Sequence, residues 1–582
     1  MMAFGALFEA IGVAAVPAFV SFISMPDRML EFGAVRWAYD RLGLEAPQQM
    51  VVWAALALVL IFVLKNLYLT FLAYVRERYA AARQVTISNR LFRAYLHSSY
   101  TFHLQRNSAE LLRNTYSEAE DITDGVILPC LWIAMEGMVI LFVCVLLFSL
   151  EPLASLIVLG GLGLVTIAFL RATQHRIRAY ASQEQHHRTE SFRAVNQGLG
   201  GFKDTRILGR EQFFIRAFQE SSWIKARAER FRDVISAMPR LFLETLVVAG
   251  MLGITIVLIA QGRGLETILP TLTLLGVALI RLMPSYTSIA QEMNHLAWGQ
   301  AALNIVYTDL RDLEEQEERL IASRAGEQDD PLAFEQEIRL ERVSYRYHGA
   351  ETDAVHRVSL TIPHHSSVGF VGPSGAGKTT IVDVILGFLP PTEGRVLVDG
   401  VNAHSRLPSW QRKIGYIPQQ VYLTDDTVRS NVAFGLGPGE IDDAAVWEAL
   451  EAAQLAAFVK SLPNGLDTIV GELGVRLSGG QRQRIGIARA LYHRPGVLVM
   501  DEATSAVDNL TEQQIVASLK RLQGDHTMLI IAHRLSTVRH CDTLFFLDDG
   551  ELVAHGSYED LLQTCDRFRE MVGEEALEAE AV

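Results

Sequence analysis

Cysteine is scarce in this chain. The four present, Cys130, Cys144, Cys541 and Cys565, show no metal-ligand spacing, so cysteine frames no metal centre. Cys130 and Cys144 sit inside an apolar run, where small core or lipid-facing residues are the ordinary reading. Positive charge is also in deficit: 52 Lys and Arg stand against 66 Asp and Glu, a formal charge of −14. A chain with that balance offers no electrostatic reason to expect nucleic acid as a partner. The acidic surplus has local sources, one between residues 309 and 337 and one in the tail at Glu574, Glu575, Glu578 and Glu580. The parts of a cleavable leader are missing too. The first apolar run begins almost at Met1 without a basic segment before it or a small-residue cleavage site after it, so it is expected to be retained.

What the chain has in excess is apolar surface. Half of its 582 residues are hydrophobic and its mean hydropathy is positive. That length is too great for one core and sufficient for two large units. The apolar residues are unevenly placed, in long runs before residue 290 and in ordinary globular alternation after residue 335. A membrane-spanning helix needs about 20 predominantly apolar residues. Six stretches qualify, near residues 3–25, 50–75, 126–149, 152–171, 236–260 and 266–289.

Basic residues set the orientation. Arg76, Arg78, Arg83, Arg90, Arg93, Arg106 and Arg113 lie between the second and third stretches; Arg176, Arg178, Arg188, Arg193, Lys203 and Arg206 begin the segment between the fourth and fifth. The positive-inside preference places both segments in the cytoplasm and residues 26–49 and 261–265 outside. Both cytoplasmic segments keep helical spacing with little loop chemistry, so the spans are expected to continue as long helices beyond the bilayer. In the outer segment, Val35, Ala38, Tyr39 and Leu42 have helical spacing, and Trp37 and Tyr39 suit a membrane interface.

The chemistry lies after the acidic stretch 321–336. Residues 338–347 read as a strand, with Tyr347 near its end. A strand at 367–371 then leads into Gly372-Pro373-Ser374-Gly375-Ala376-Gly377-Lys378-Thr379-Thr380, which fills every position of the G-x-x-x-x-G-K-[ST] pattern and opens a helix. Glycines let backbone N–H groups approach phosphates, Lys378 reaches the β and γ oxygens, and the Thr379 hydroxyl can hold Mg²⁺. The apolar strand 498–500 ends in Asp501 and Glu502, placed to position Mg²⁺ and to polarise an attacking water. Leu477-Ser478-Gly479-Gly480-Gln481 combines bare backbone N–H groups with a helix start, an anion-binding end without an anion of its own nearby in sequence.

With these motifs the chain resembles the ATP-binding cassette proteins, and its short outer loops and long inner hairpins resemble their exporter branch. The resemblance implies that residues 477–481 are the signature that meets the γ-phosphate of an ATP held by the other subunit. It also implies that Tyr347 stacks on adenine, that Gln419 senses metal and water, that Ser505 and Asp508 belong to the D-loop, and that His533 is the switch histidine. Glu502, His533 and Gln419 form the catalytic set, with Mg²⁺ held by Thr379, Gln419 and Asp501. The expected fold is a six-helix, all-α transmembrane domain with long cytoplasmic extensions over 1–320, the acidic linker 321–336, and an α/β P-loop nucleotide-binding domain over 337–582. Stretches 107–114 and 202–209 match the family's coupling helices. No catalytic position departs from the family pattern, so two copies would form two competent sites and a homodimer is the simplest assembly.

Residues 34–42, 100–114 and 201–211 resemble a subgroup typified by the bacterial lipid-linked oligosaccharide flippase. The expected cargo is therefore a polyprenyl-pyrophosphate glycan in the lipid bilayer; the alternatives are a lipid A-type lipid, a drug or a peptide, and, in a different class, an ATP-gated channel or regulatory subunit. Lys65 and Arg281 interrupt the second and sixth spans at similar depth. Charges there need a partner or a task. They are candidates for a substrate cavity that receives an anionic head group. The other reading makes them structural, with Glu136 neutralising Lys65, or lets them snorkel to the interface. Glu9 in the first span has no assigned role.

Overall fold

A computed structural model describes residues 1–24, 33–41, 47–150, 152–260, 265–324, 332–501, 517, 520–532 and 534–580. The chain divides into two compact units, Met1–Ser98 with Phe102–Glu318, and Arg319–Val582 with Ser99–Thr101.

The first unit is all helix. Its principal helices are α1 (Met2–Ser24), α2 (Gly33–Arg41), α3 (Pro47–His97), α4 (Leu128–Leu150), α5 (Pro152–Gly200), α6 (Glu211–Ala260) and α7 (Leu265–Arg324). Among the described residues, four stretches are long and apolar enough to cross a membrane: Met2–Val20, Val51–His97, Ser108–Ser149 and Glu211–Ile256. The expected spans 152–171 and 266–289 lie within α5 and α7. Helices α3, α5, α6 and α7 hold 51, 49, 50 and 60 residues. At 1.5 Å per residue that is roughly 75–90 Å, against about 30 Å of hydrocarbon, so these spans do run far past the bilayer. The short outer helix falls where its spacing predicts, with Trp37 68 % exposed.

Packing follows the 3.6-residue period. Ala6, Ala10 and Val13 of α1 meet Val139, Val143 and Leu147 of α4 and Ala278 and Leu282 of α7 in one buried cluster. Small residues on α1 let the backbones come close where lipid gives no hydrophobic drive between helices. Leu162, Leu243, Ile254, Leu275 and Leu279 join α5, α6 and α7. The two expected coupling stretches are short helices, Ser108–Arg113 capped by the Asn107 side chain, and Phe202–Ile207. Between Ser108–Arg113 and α4 the chain passes through two π turns, Asn114–Glu118 and Thr123–Ile127. These irregularities leave no mark in the periodicity. In the second, Gly125 touches Gly299 of α7 backbone to backbone: a Cβ on Gly299 would lie 2.6 Å from the Gly125 carbonyl. Two of the arginines that set the orientation are spent on a fully buried carboxylate, Arg113 at 3.3 Å and Arg188 at 3.0 Å from Glu118.

The second unit is α/β. An antiparallel sheet has the order β2-β1-β4-β5, from β1 (Glu337–Tyr345), β2 (Val355–Pro363), β4 (Glu393–Val398) and β5 (Val401–Asn402). A second sheet, β10-β9-β3-β8-β7-β6, comprises β3 (Ser367–Val371), β6 (Ile414–Ile417), β7 (Val497–Asp501), β8 (Thr527–Ile531), β9 (Thr543–Asp548) and β10 (Glu551–Gly556). Within it, β3 runs parallel to both β8 and β9, and β7 parallel to β6 and β8. Strand β3 is buried along its whole length, the mark of a central parallel strand covered on both faces. Helix α8 (Lys378–Leu386) packs Ile381 and Ile385 into the core between the sheets with Phe370 and Trp410. Leu332 and Phe334, in the stretch expected as linker, are buried in that same core.

Candidate functional site

Strand β3 delivers the chain to the phosphate loop at the carboxyl edge of the parallel strands, where open α/β sheets bind ligands. Gly377 has φ 93°, and a Cβ there would sit 2.5 Å from the Ala354 carbonyl, so only glycine closes this turn. Gly377 is also the N-cap of α8 and supplies no side-chain cap. The first amides of α8 are left for an anion, and the helix dipole favours one there. Lys378, 6 % exposed, folds back so that Nζ donates to the carbonyls of Gly372 at 2.7 Å and Pro373 at 2.9 Å. An ammonium held by its own loop sits where phosphate oxygens would arrive. Ser374, Gly375 and Thr379 are exposed, whereas Ala376 and Thr380 are buried beneath the loop. Tyr347, beyond the end of β1, has its hydroxyl 3.2 Å from Thr380 Oγ1, packs edge-on against Tyr345, and is 37 % exposed. Its ring therefore has a face open for stacking beside the loop.

Strand β7 ends at Asp501, next to β8 and opposite β6, whose extension carries the exposed Gln419. Two residues join this acidic wall that the motifs do not name. Burial raises the Asp383 carboxyl to about 6, and the charge of Asp501 adds to the rise. Burial also raises the Tyr416 hydroxyl, helped by the charges of Asp501 and Asp383 and by a hydrogen bond to Asp501. Asp383 had one sequence signal: a lone acid in the otherwise apolar run of α8, five residues after Lys378. Two like charges, with the exposed Thr379 on the helix that also carries Asp383, suit Mg²⁺, which takes one or two carboxylates plus phosphate oxygens and waters. Asp501 and Thr379 would hold it, and it would supply neutralisation of phosphate charge. Glu502, Ser505, Asp508 and His533 lie outside the described residues.

The signature opens helix α9 (Gly479–Tyr492), with Leu477 buried, Ser478 exposed, and a reciprocal cap between Ser478 and Gln481. That cap occupies the Gln481 amide, and the Arg482 amide bonds the Ser478 carbonyl. The Gly479 and Gly480 amides remain at the tip of a 14-residue helix, an anion-receiving end. Behind it, the fully buried Asn431 accepts from the Thr424 amide at 3.0 Å and donates to the Thr424 and Thr427 carbonyls at 3.1 Å and 3.0 Å. Arg489 of α9 donates to the Asn431 carbonyl at 2.8 Å, which anchors that loop to the signature helix. Nothing in the local pattern marks Asn431.

In the membrane unit Lys65 and Arg281 do come together, on one carboxylate that sequence reasoning left without a role. Lys65 Nζ lies 3.2 Å and Arg281 Nε 2.9 Å from Glu9 Oε2. Glu136 accepts from Ser285 Oγ at 2.6 Å and lies 3.6 Å from Arg281 Nη2. In place of the Lys65–Glu136 pair of the structural reading, Lys65 meets Glu9 and Glu136 lies against Arg281, and the cluster holds two cations and two carboxylates.

A phosphate loop, an acidic strand end and a signature helix, carried by a chain with membrane-length helices, define a membrane transporter that hydrolyses ATP. The chain belongs to the ABC transporter family: residues 355–505 match the family's ABC transporter domain and residues 2–283 its transmembrane region. It is similar to the ATP-dependent lipid A-core flippase of Cupriavidus metallidurans, 32 % identical over 485 residues, covering 81 % of this chain and 78 % of the relative. It is likewise similar to the protein of that name from Escherichia coli K12, 28 % identical over 523 residues, covering 89 % and 88 %. Among solved structures it matches a bacterial Atm1-family ABC exporter with ATP bound, with TM-score 0.75, 26 % identity, and 99 % and 98 % of the two chains covered. One transmembrane region and one cassette make the chain an exporter half-transporter. It is a multi-pass membrane protein with its nucleotide-binding half on the cytoplasmic side.

Proposed function

We propose that two copies of this chain form an ATP-driven flippase for a lipid A-type phosphorylated lipid. The observation that carries this reading is the extent of the likeness to lipid A-core flippases, which spans both halves of the transporter. The lipid-linked oligosaccharide, first choice from three short stretches, has no such support and becomes the alternative. In the proposed dimer, Tyr347 and residues 372–380 of one copy hold ATP and Leu477, Ser478, Gly479, Gly480 and Gln481 of the other cover its γ-phosphate. Glu502 polarises the attacking water, Gln419 joins Thr379 and Asp501 at Mg²⁺ and senses metal and water, His533 senses the γ-phosphate, and Ser505 and Asp508 cross between the copies. ATP binding closes the cassettes and hydrolysis reopens them, which alternates the access of the membrane cavity.

Lys65 and Arg281 are proposed to meet the cargo's phosphate. Since both already lie on Glu9, an arriving phosphate must share them with that carboxylate or displace it. The test is the purified chain in phospholipid vesicles, offered lipid A-core, a polyprenyl-pyrophosphate glycan, or neither. Lipid A-core should raise ATP turnover and cross the bilayer only with ATP. If the glycan lipid alone does so, the oligosaccharide reading replaces this one. Ion conductance without lipid-stimulated turnover would instead mark a channel. Arg281→Ala should impair lipid movement while leaving unstimulated ATP turnover intact; a folded variant that moves lipid at the parental rate removes Arg281 from the cavity.

A further inference from the structure

Beyond the bilayer, α7 buries an apolar stripe against the first cytoplasmic hairpin. Ala302, Val306 and Leu313 pack with Leu91 and Tyr95 of α3 and with Ile122. One residue on that face is a carboxylate. Asp309 is 3 % exposed, although in sequence it stands at the head of the acid-rich stretch 309–337. Its Oδ2 accepts from Tyr95 Oη at 2.7 Å and from Asn114 Nδ2 at 3.0 Å, and its Oδ1 from Arg106 Nη2 at 3.2 Å. Tyr95 ends the outgoing helix, Arg106 sits in the turn, and Asn114 begins the return through the first π turn. A single carboxylate on α7 thus gathers three successive parts of the hairpin. The hairpin is in turn tied to Tyr95: Ser98 Oγ donates to its carbonyl at 2.7 Å, and the Phe102 ring stacks on its ring at 6.0 Å.

A leucine at this position would continue the stripe without the desolvation cost of a buried charge, so stability alone does not explain an aspartate. What the aspartate adds is geometry. Apolar side chains tolerate small slips of one helix along another, whereas three donors converging on two oxygens accept a single arrangement. Helix α7 continues from Asp309 to Arg324, and the cassette is described from Leu332, so α7 is the covalent route into the ATP-binding half. We propose that Asp309 is a positioning residue for transport, fastening the first cytoplasmic hairpin to the helix that leads into the cassette, so that nucleotide-driven movement of α7 carries the hairpin with it. This rests on the ATP-driven exporter class and is independent of the cargo.

The test uses the full chain in lipid nanodiscs. Amide hydrogen exchange over residues 95–114 is measured without nucleotide and with ATP and vanadate, beside basal ATPase and Tm. In the parental protein, exchange in this segment should differ between the two states. Asp309→Asn keeps the shape but loses the charge and turns an N–H toward the donors. Its nucleotide-free exchange there should rise about tenfold or more, the scale of one charge-assisted hydrogen bond. The response to nucleotide should vanish while basal ATPase stays within about twofold. Tyr95→Phe, which removes one donor, should show the same loss of response in part. A parental hairpin blind to nucleotide overturns the proposal, as does an Asp309→Asn hairpin that follows nucleotide like the parent. Parallel loss of Tm and ATPase in both variants overturns it too, leaving the network a stabiliser of the fold only. Failure of the parental chain to move an offered lipid bears on the cargo alone.

Discussion

Ser478 and Gln481 cap one another: the Ser478 amide donates to Gln481 Oε1 at 2.9 Å, and the Gln481 amide to Ser478 Oγ at 3.3 Å. The pair satisfies two donors at the start of α9 and leaves the glycine amides between them for a ligand. That ligand has to come from outside the cassette if the sandwich reading holds. Chains bearing Lys378→Ala and chains bearing Ser478→Arg should each be inactive as homodimers, and mixing them should restore one composite site per mixed dimer. ATP turnover of the mixture against each parent chain checks this; full turnover by a strict monomer in detergent refutes it.

Glu502 follows Asp501 at the end of β7 in sequence. Glu502→Gln should bind ATP while turning it over at least about 10²-fold more slowly, the low end for loss of a general base. Single-turnover hydrolysis with a parallel binding isotherm separates the two effects. Near-parental turnover would take Glu502 out of the role.

Asp383 should give the cassette an acid-side pH dependence. Its carboxyl is raised from 3.8 to about 6 by burial, with Asp501 adding to the effect. A group with a higher pKa folded than unfolded holds its proton more tightly in the fold. It therefore makes stability fall as pH rises, between about 4 and 6, and the penalty is complete above that window. Asp383→Asn should remove this slope and raise Tm at neutral pH. Melting curves of the nucleotide-free protein across that window check it, and parallel profiles for variant and parent would sink the assignment.

Glu9 carries two cations at membrane depth. Glu9→Gln leaves Lys65 and Arg281 with less counter-charge, and breaking a buried ionic group of this kind costs about 3–5 kcal/mol. A lower Tm in detergent is expected, recovered when Lys65→Met is added, because Arg281 then keeps Glu136 as its counter-charge. An unchanged Tm for Glu9→Gln would show that the cluster contributes little to the fold.

Gly299 lies against the backbone of Gly125. A methyl group there would sit 2.6 Å from carbonyl atoms that cannot rotate away. Gly299→Ala should destabilise the helical unit by about 1–3 kcal/mol through overpacking. Adding Gly125→Ala should not rescue it, because the obstruction is main chain. Thermal melts of both variants decide.

The parts of this protein readable along the chain are those whose physics is local. Apolar stretches of bilayer length mark the spans, arginines between them set their direction, and the glycines of 372–377 anticipate backbone that side chains would block. Strand β3 and the start of α8 fall where the motif places them, because a strand that ends in a phosphate loop is specified by adjacent residues. The short outer helix was legible for the same reason. The two π turns were not, since an extra residue in a helical turn shifts the periodicity too little to stand out.

Charge partners were the least readable feature, and Asp309 and Glu9 show why. In sequence the first is an acid at the head of an acidic stretch and the second an acid near Met1 with no neighbour to answer it. Their partners arrive from far away: Arg281 reaches Glu9 across 272 residues, and Tyr95 reaches Asp309 across 214. Sequence alone determined the class of machine, a membrane-embedded helical half joined to a nucleotide cassette, because each of those halves is written in contiguous patterns. Tertiary structure alone decided which buried charges meet, since helix packing brings together side chains whose spacing along the chain carries no period, and desolvation then demands that each find a partner.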